Sequence, residues 1–132
     1  MNTWAKSIIA VVLATLWISP SEFIRNEFLL KSYWQVHYSS LGLSFPSAPV
    51  NGAVWGIWSF CFAAVIIILI RKFSFWETLV LSWFIAFVLM WLVIGNMGVL
   101  PFGLLVYAIP LSIIETLGAC WIIDRLRSTE RK

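Results

Sequence analysis

Between Val99 and Asp124 the chain reads VLPFGLLVYAIPLSIIETLGACWIID, an apolar stretch whose interior carries a single carboxylate, Glu115. A helix of that length crosses a hydrocarbon core about 30 Å thick. The nine residues from Glu115 to Asp124 set the acid roughly 13 Å inside the nearer edge at 1.5 Å of rise per residue. An acid at that depth must find hydrogen-bond partners or lose its charge, and any fold assigned to the chain has to supply one of these outcomes.

The rest of the sequence supports a membrane solvent. Hydrophobic residues make up 61% of the 132 positions and charged residues 11%, and the mean hydropathy is +0.93, which leaves too little polar surface for a water-soluble domain. The length allows one bundle and no appended domain. A formal charge of +3 does not indicate nucleic acid, because the basic residues sit in short clusters beside apolar runs, as topology signals do.

Four spans are expected, at about 4–19, 50–70, 73–95 and 99–123, with an outer segment over 20–49. The fold class is therefore an all-α membrane protein of four transmembrane helices, with an additional extracytoplasmic interfacial helix between spans 1 and 2. Lys6 followed by an apolar run, without an A-x-A-like cleavage site, reads as an uncleaved first span. Ser19-Pro20-Ser21-Glu22 matches an S-x-x-E capping box with proline at the first helical position, which predicts that one helix ends and a second begins there. That second helix, about Pro20 to Tyr38, is expected outside the membrane, with Glu27 four residues before Lys31 in the favourable order. SSLGLSFPSAP then reads as an irregular linker. Spans 2 and 3 form a hairpin across the short RKFSFWE turn, and GNMGVLP leads into span 4.

Charge sets the expected orientation. Lys6, Arg71, Lys72, Arg125, Arg127, Arg131 and Lys132 fall on one side, and Arg25 and Lys31 on the other. The positive-inside rule places both termini in the cytoplasm, in a cell membrane read as a bacterial inner membrane. Trp4, Trp76 and Trp121 near one edge and Trp17, Trp34, Trp55 and Trp91 near the other agree with this arrangement.

Each span carries one polar side chain at a similar depth: Thr15, Ser59, Ser82 and Glu115. The expectation is a polar layer in which hydroxyls satisfy the acid. No Lys or Arg is expected at that depth, so Glu115 has no evident counter-charge. As a functional site this layer binds or relays a proton, or meets the polar end of a lipophilic ligand; as a structural one it holds helices together. Small residues at helical spacing mark packing faces: Gly52 and Gly56 in span 2, Ala10 and Ala14 in span 1, and Ala108, Ser112, Thr116 and Ala119 in span 4. Pro110 removes the hydrogen-bond donor to the Val106 carbonyl near the acid.

Catalytic and metal patterns are missing from the sequence. Cys61 and Cys120 lie 59 residues apart without C-x-x-C spacing and read as small apolar packers. His37 has no ligand partners near it and reads as an interface anchor. Glu22 and Glu27, five apart, do not share a helical face. No H-E-x-x-H, G-x-S-x-G, P-loop or dinucleotide glycine pattern occurs, so neither cofactor nor metal is expected and enzymatic activity is disfavoured.

The LWISPSEF turn, followed by KSYW, resembles an uncharacterised family of small four-helix bacterial membrane proteins whose first span ends in a Leu-Trp-aromatic-Ser-Pro turn; Ile18 stands here in place of the aromatic residue. The resemblance implies architecture and carries no activity. Size and a lone intramembrane acid are similar to those of small multidrug-resistance transporters, but those hold the acid in the first span, where this chain has none. The leading functional expectation is a non-catalytic protein that acts by binding, as an accessory subunit of a membrane complex or as a self-associating bundle. The alternative is a small carrier or proton-coupled transporter for a lipophilic or small-molecule ligand, centred on Glu115.

Overall fold

A computed structural model describes residues 2–128, so Arg131 and Lys132 of the charge argument lie outside the described residues. Every regular element among them is helical: α1 (Thr3–Phe23), α2 (Lys31–Ser40), α3 (Pro49–Leu69), α4 (Phe75–Trp83), α5 (Leu89–Asn96) and α6 (Leu105–Ser128). Two π-helical segments are inserted, Ile24–Leu29 after α1 and Phe84–Val88 between α4 and α5, and a 3₁₀ turn, Phe102–Leu104, opens α6. Four continuous stretches are long and apolar enough to cross a membrane: Thr3–Leu29, Pro49–Leu69, Phe75–Asn96 and Phe102–Arg127.

The first of these overturns the expected break at Pro20. The α1 helix passes through the proline, and the π segment carries it on to Leu29. The cause lies in the buried face. Ala10, Ala14 and Ile18 recur at helical spacing and are buried, and the same stripe continues as Glu22 and Arg25. Both charged side chains are committed inward, so Glu22 does not fold back as a capping box. A capping box forms at the other S-x-x-E in the chain, where Ser74 Oγ accepts from the Glu77 amide and Glu77 accepts from the Ser74 amide, starting α4.

The four crossing helices close into a ring in which α1 packs on α6 and α3, and α4 packs on those same two helices. Phe62, Ala63, Ile66, Phe87, Cys120 and Ile123 fill its centre. Arg71 donates to Ser7 Oγ at 3.3 Å, and Arg127 donates to the Ile70 carbonyl. These bonds gather the start of α1, the α3–α4 turn and the end of α6 at one end of the bundle.

The α2 helix and the α5–α6 turn occupy the other end, where Leu30 is buried against Leu100, Leu104 and Ala108. Two glycines make that end possible. Gly42 and Gly98 take φ of +71° and +76°, where a side chain would be strained, and end α2 and α5. In each case an amide reaches back five positions, from Leu43 to the Tyr38 carbonyl and from Val99 to the Ile94 carbonyl. His37 Nε2 lies 2.7 Å from the Gly98 carbonyl and ties α2 to the second turn.

Candidate functional site: a buried carboxylate–guanidinium cluster

Glu115 meets a charge that sequence spacing assigned to the far side of the membrane. Arg25 donates from Nη1 to Glu115 Oε2 at 2.7 Å and from Nη2 to Glu22 Oε1. The three residues are 2%, 5% and 3% exposed for Glu115, Arg25 and Glu22, so the cluster is closed off from its surroundings. Glu22 and Arg25 stand three apart on one helical face, while Glu115 arrives from α6, ninety positions along the chain.

The local backbone is arranged around this contact. Arg25 lies in the first π segment and Phe87 in the second, and the guanidinium carbon sits 5.0 Å from the centre of the Phe87 ring. A π segment inserts a residue into the helical ladder and re-aims the side chains beside it. The two distortions therefore converge on one cation from opposite helices, with a cation–π contact that gains strength where water is excluded.

On α6, the indole of Trp17 donates to the Glu115 main-chain carbonyl at 2.9 Å. Its ring lies in the notch left by Gly118, where an added Cβ would come within 2.4 Å of the indole. Trp17 therefore sits at the contact between α1 and α6, within the span that runs from Thr3 to Leu29. The position of Gly118, three residues after Glu115, allows the ring to reach that carbonyl.

Glu22 is bound further through its second oxygen. Asn26 Nδ2 donates to Glu22 Oε2 at 3.0 Å, and Asn26 Oδ1 accepts from Trp34 Nε1 of α2 at 3.1 Å. Both Glu22 oxygens thus accept hydrogen bonds. Glu115 Oε1, by contrast, is buried and has no hydrogen-bond partner.

The other residues of the expected polar layer are placed differently. Thr15 donates to the Val11 carbonyl, Ser59 to the Trp55 carbonyl and Ser82 to the Leu79 carbonyl, each on its own helix. Ser82 Oγ also lies 3.8 Å from Cys120 Sγ. The hydroxyls leave Glu115 to Arg25. Ala108, Ser112, Thr116 and Ala119 are all buried along α6, and Ser112 accepts from the Trp83 indole at 2.9 Å. Gly52 and Gly56 meet no other helix: a Cβ added at either would touch nothing within 4 Å.

Sequence reasoning overlooked Arg25 because it took Pro20 as a boundary and moved everything after it out of the bundle. The available signal was the spacing of Ala10, Ala14, Ile18, Glu22 and Arg25. A separate groove of 540 Å³ lies at the α2 end, lined by Tyr33, His37 and Ser40 and by residues 101–103. No group of His, Cys, Asp and Glu suited to a metal ion occurs among the described residues. Comparison of the chain with protein-family models, curated proteins and solved structures finds no match.

Proposed function

We propose that this chain is a non-catalytic membrane protein that acts by binding, and that its cluster is the proton site of a small proton-coupled carrier, with Glu115 as the proton-binding group. The observation that carries this reading is a charge count. Two carboxylates share one guanidinium in a closed interior, which leaves one negative charge in excess. An uncompensated charge in such a place is costly, and a proton is the smallest ligand that removes it. Acceptor geometry favours Glu115 as the seat. Each oxygen of Glu22 already accepts a hydrogen bond that a proton there would weaken, whereas Glu115 Oε1 accepts none. Thr15, Ser59 and Ser82 are candidate lining for a ligand path through the same bundle.

The orientation belongs to this reading. With Arg25 withdrawn into the bundle, the α2 end retains Lys31, paired with Glu27 at 3.3 Å. Lys6, Arg71, Lys72, Arg125 and Arg127 mark the opposite end as cytoplasmic under the positive-inside rule. The α2 helix is then extracytoplasmic and interfacial. Reconstituted into liposomes, the protein is expected to carry out proton-linked flux that Glu115→Gln abolishes while helix content is kept. Flux unchanged by that substitution, or its absence from the unsubstituted chain, overturns the carrier.

A second reading, self-association or docking to a larger membrane complex, is favoured by the uncovered Gly52/Gly56 face of α3, since small residues four apart let two helix backbones approach closely. Gly56→Leu is expected to shift oligomers to monomers in nanodiscs. A wild-type chain that is monomeric and copurifies with nothing counts against it.

A further inference from the structure

We infer that α2, together with Phe45 of the linker that follows it, is a lid over the cluster, latched by Trp34 through Asn26 to Glu22 and released when Glu22 stops accepting. This rests on the proton-site reading and adds how the site is regulated. The latch begins at the Trp34 ring, which stacks on Phe45 with centroids 5.8 Å apart and planes 18° apart, and Tyr38 meets Phe45 edge-on at 5.4 Å. The same indole reaches inward to Asn26, and Asn26 reaches Glu22.

The hydrogen bonds of this chain run in one direction. An indole N–H only donates, so the Asn26 side-chain oxygen must face Trp34 and its NH₂ must face Glu22. Glu22 Oε2 must therefore accept, and Oε1 is already occupied by Arg25. Asn26 Nδ2 donates to the Glu22 main-chain carbonyl as well, at 3.2 Å, so a Glu22 that carries a proton, or an amide in its place, weakens the side-chain bond and leaves Asn26 held chiefly by the main chain. The loosening falls on Asn26 and Trp34, because the alternative is to release a buried guanidinium. A proton on Glu115 Oε1 leaves the latch intact. The lid is therefore shut while the proton sits on Glu115 and loosens when it passes to Glu22, so occupancy of the two carboxylates controls the way in from the α2 end. On α2, Lys31 pairs with Glu27, His37 lies against the Gly98 carbonyl, and Tyr38 meets the Trp34 ring edge-on without reaching Asn26 or Glu22 by a hydrogen bond.

Backbone hydrogen exchange of α2 in the full chain, held in lipid nanodiscs, tests this without depending on transport. Trp34→Phe keeps the stacked ring and removes the donor, Asn26→Leu cuts both bonds, and Glu22→Gln and Glu115→Gln mimic the two protonated states. The first three are expected to speed exchange over Lys31–Ser40 by about tenfold, since each loses or loosens the one hydrogen bond that ties Trp34 of α2 to Asn26. Glu115→Gln and the control Val36→Ala, an exposed position on the same helix, are expected to leave it unchanged. The lid is overturned if Trp34→Phe and Asn26→Leu exchange like wild type, or if Glu115→Gln loosens α2 as much as Glu22→Gln. An infrared carboxylic-acid band that disappears in Glu115→Gln reports the proton site separately. Its absence overturns the proton reading while the exchange pattern still decides the lid.

Discussion

Arg25 makes three contacts from a single guanidinium: two carboxylates and the face of Phe87. Removing it leaves two acids within one dry cluster, and breaking a buried pair by deleting one partner costs about 3–5 kcal/mol. Arg25→Leu is therefore expected to lower thermal stability in detergent sharply or to prevent folding. Neutralising all three members costs less than removing the cation alone, because no unmatched charge remains. The triple variant Arg25→Leu, Glu22→Gln, Glu115→Gln should recover most of the lost melting temperature. A triple variant no more stable than the single one would show that Arg25 acts through packing and not through charge.

At the scale of elements, the first span shows what a proline can and cannot decide. Pro20 lacks an amide hydrogen and restricts its neighbour, which is why it reads as a boundary. Yet Glu22 and Arg25 keep to the face already set by Ala14 and Ile18, and burying that face holds the helix together through the proline. Pro20→Ala restores a donor to a helix that is already continuous, so it should leave helix content by circular dichroism unchanged and shift stability by less than about 1 kcal/mol. A large rise in helicity would mean that α1 ends at Pro20 after all.

The positions of the spans were legible in the sequence because lipid solvation demands a long apolar run for each crossing, a local property. Span 1 was misjudged in length, since its last turns carry charges that local reasoning sends to water. The acid at 115 was also legible, because a lone charge in an apolar run stands out without any partner. Its partner was not, as nothing local links positions 25 and 115. The open face of Gly52 and Gly56 was hidden for the same reason: spacing identifies a packing face without naming what covers it.

For the whole molecule, an even number of long apolar helices brings the start of α1 and the end of α6 to one end, as the bonds from Arg71 to Ser7 and from Arg127 to Ile70 record. The proposed orientation makes that end cytoplasmic. In right-side-out vesicles, a membrane-impermeant thiol reagent should label Ser40→Cys and spare Ser74→Cys, with Cys61 and Cys120 replaced by Ala; the reverse pattern inverts the topology. Closure of the ring leaves the outward sides of all four spans apolar, among them Ile8, Val54, Val80 and Val106, as a lipid-solvated bundle requires.

The amino-acid sequence alone determined that this chain is built of apolar helices long enough to cross a membrane, and that one of them carries an acid midway along its length, because length, hydropathy and the isolation of a charge are properties of consecutive residues. Only the tertiary structure decided that the acid is matched by Arg25 and that Glu22 shares the same guanidinium, because a hydrogen bond depends on where two side chains lie in space. It also decided that two π segments and a glycine notch are spent on that contact. The packing of α1 against α6 brings the partners within 3 Å, and that proximity is a product of the whole bundle.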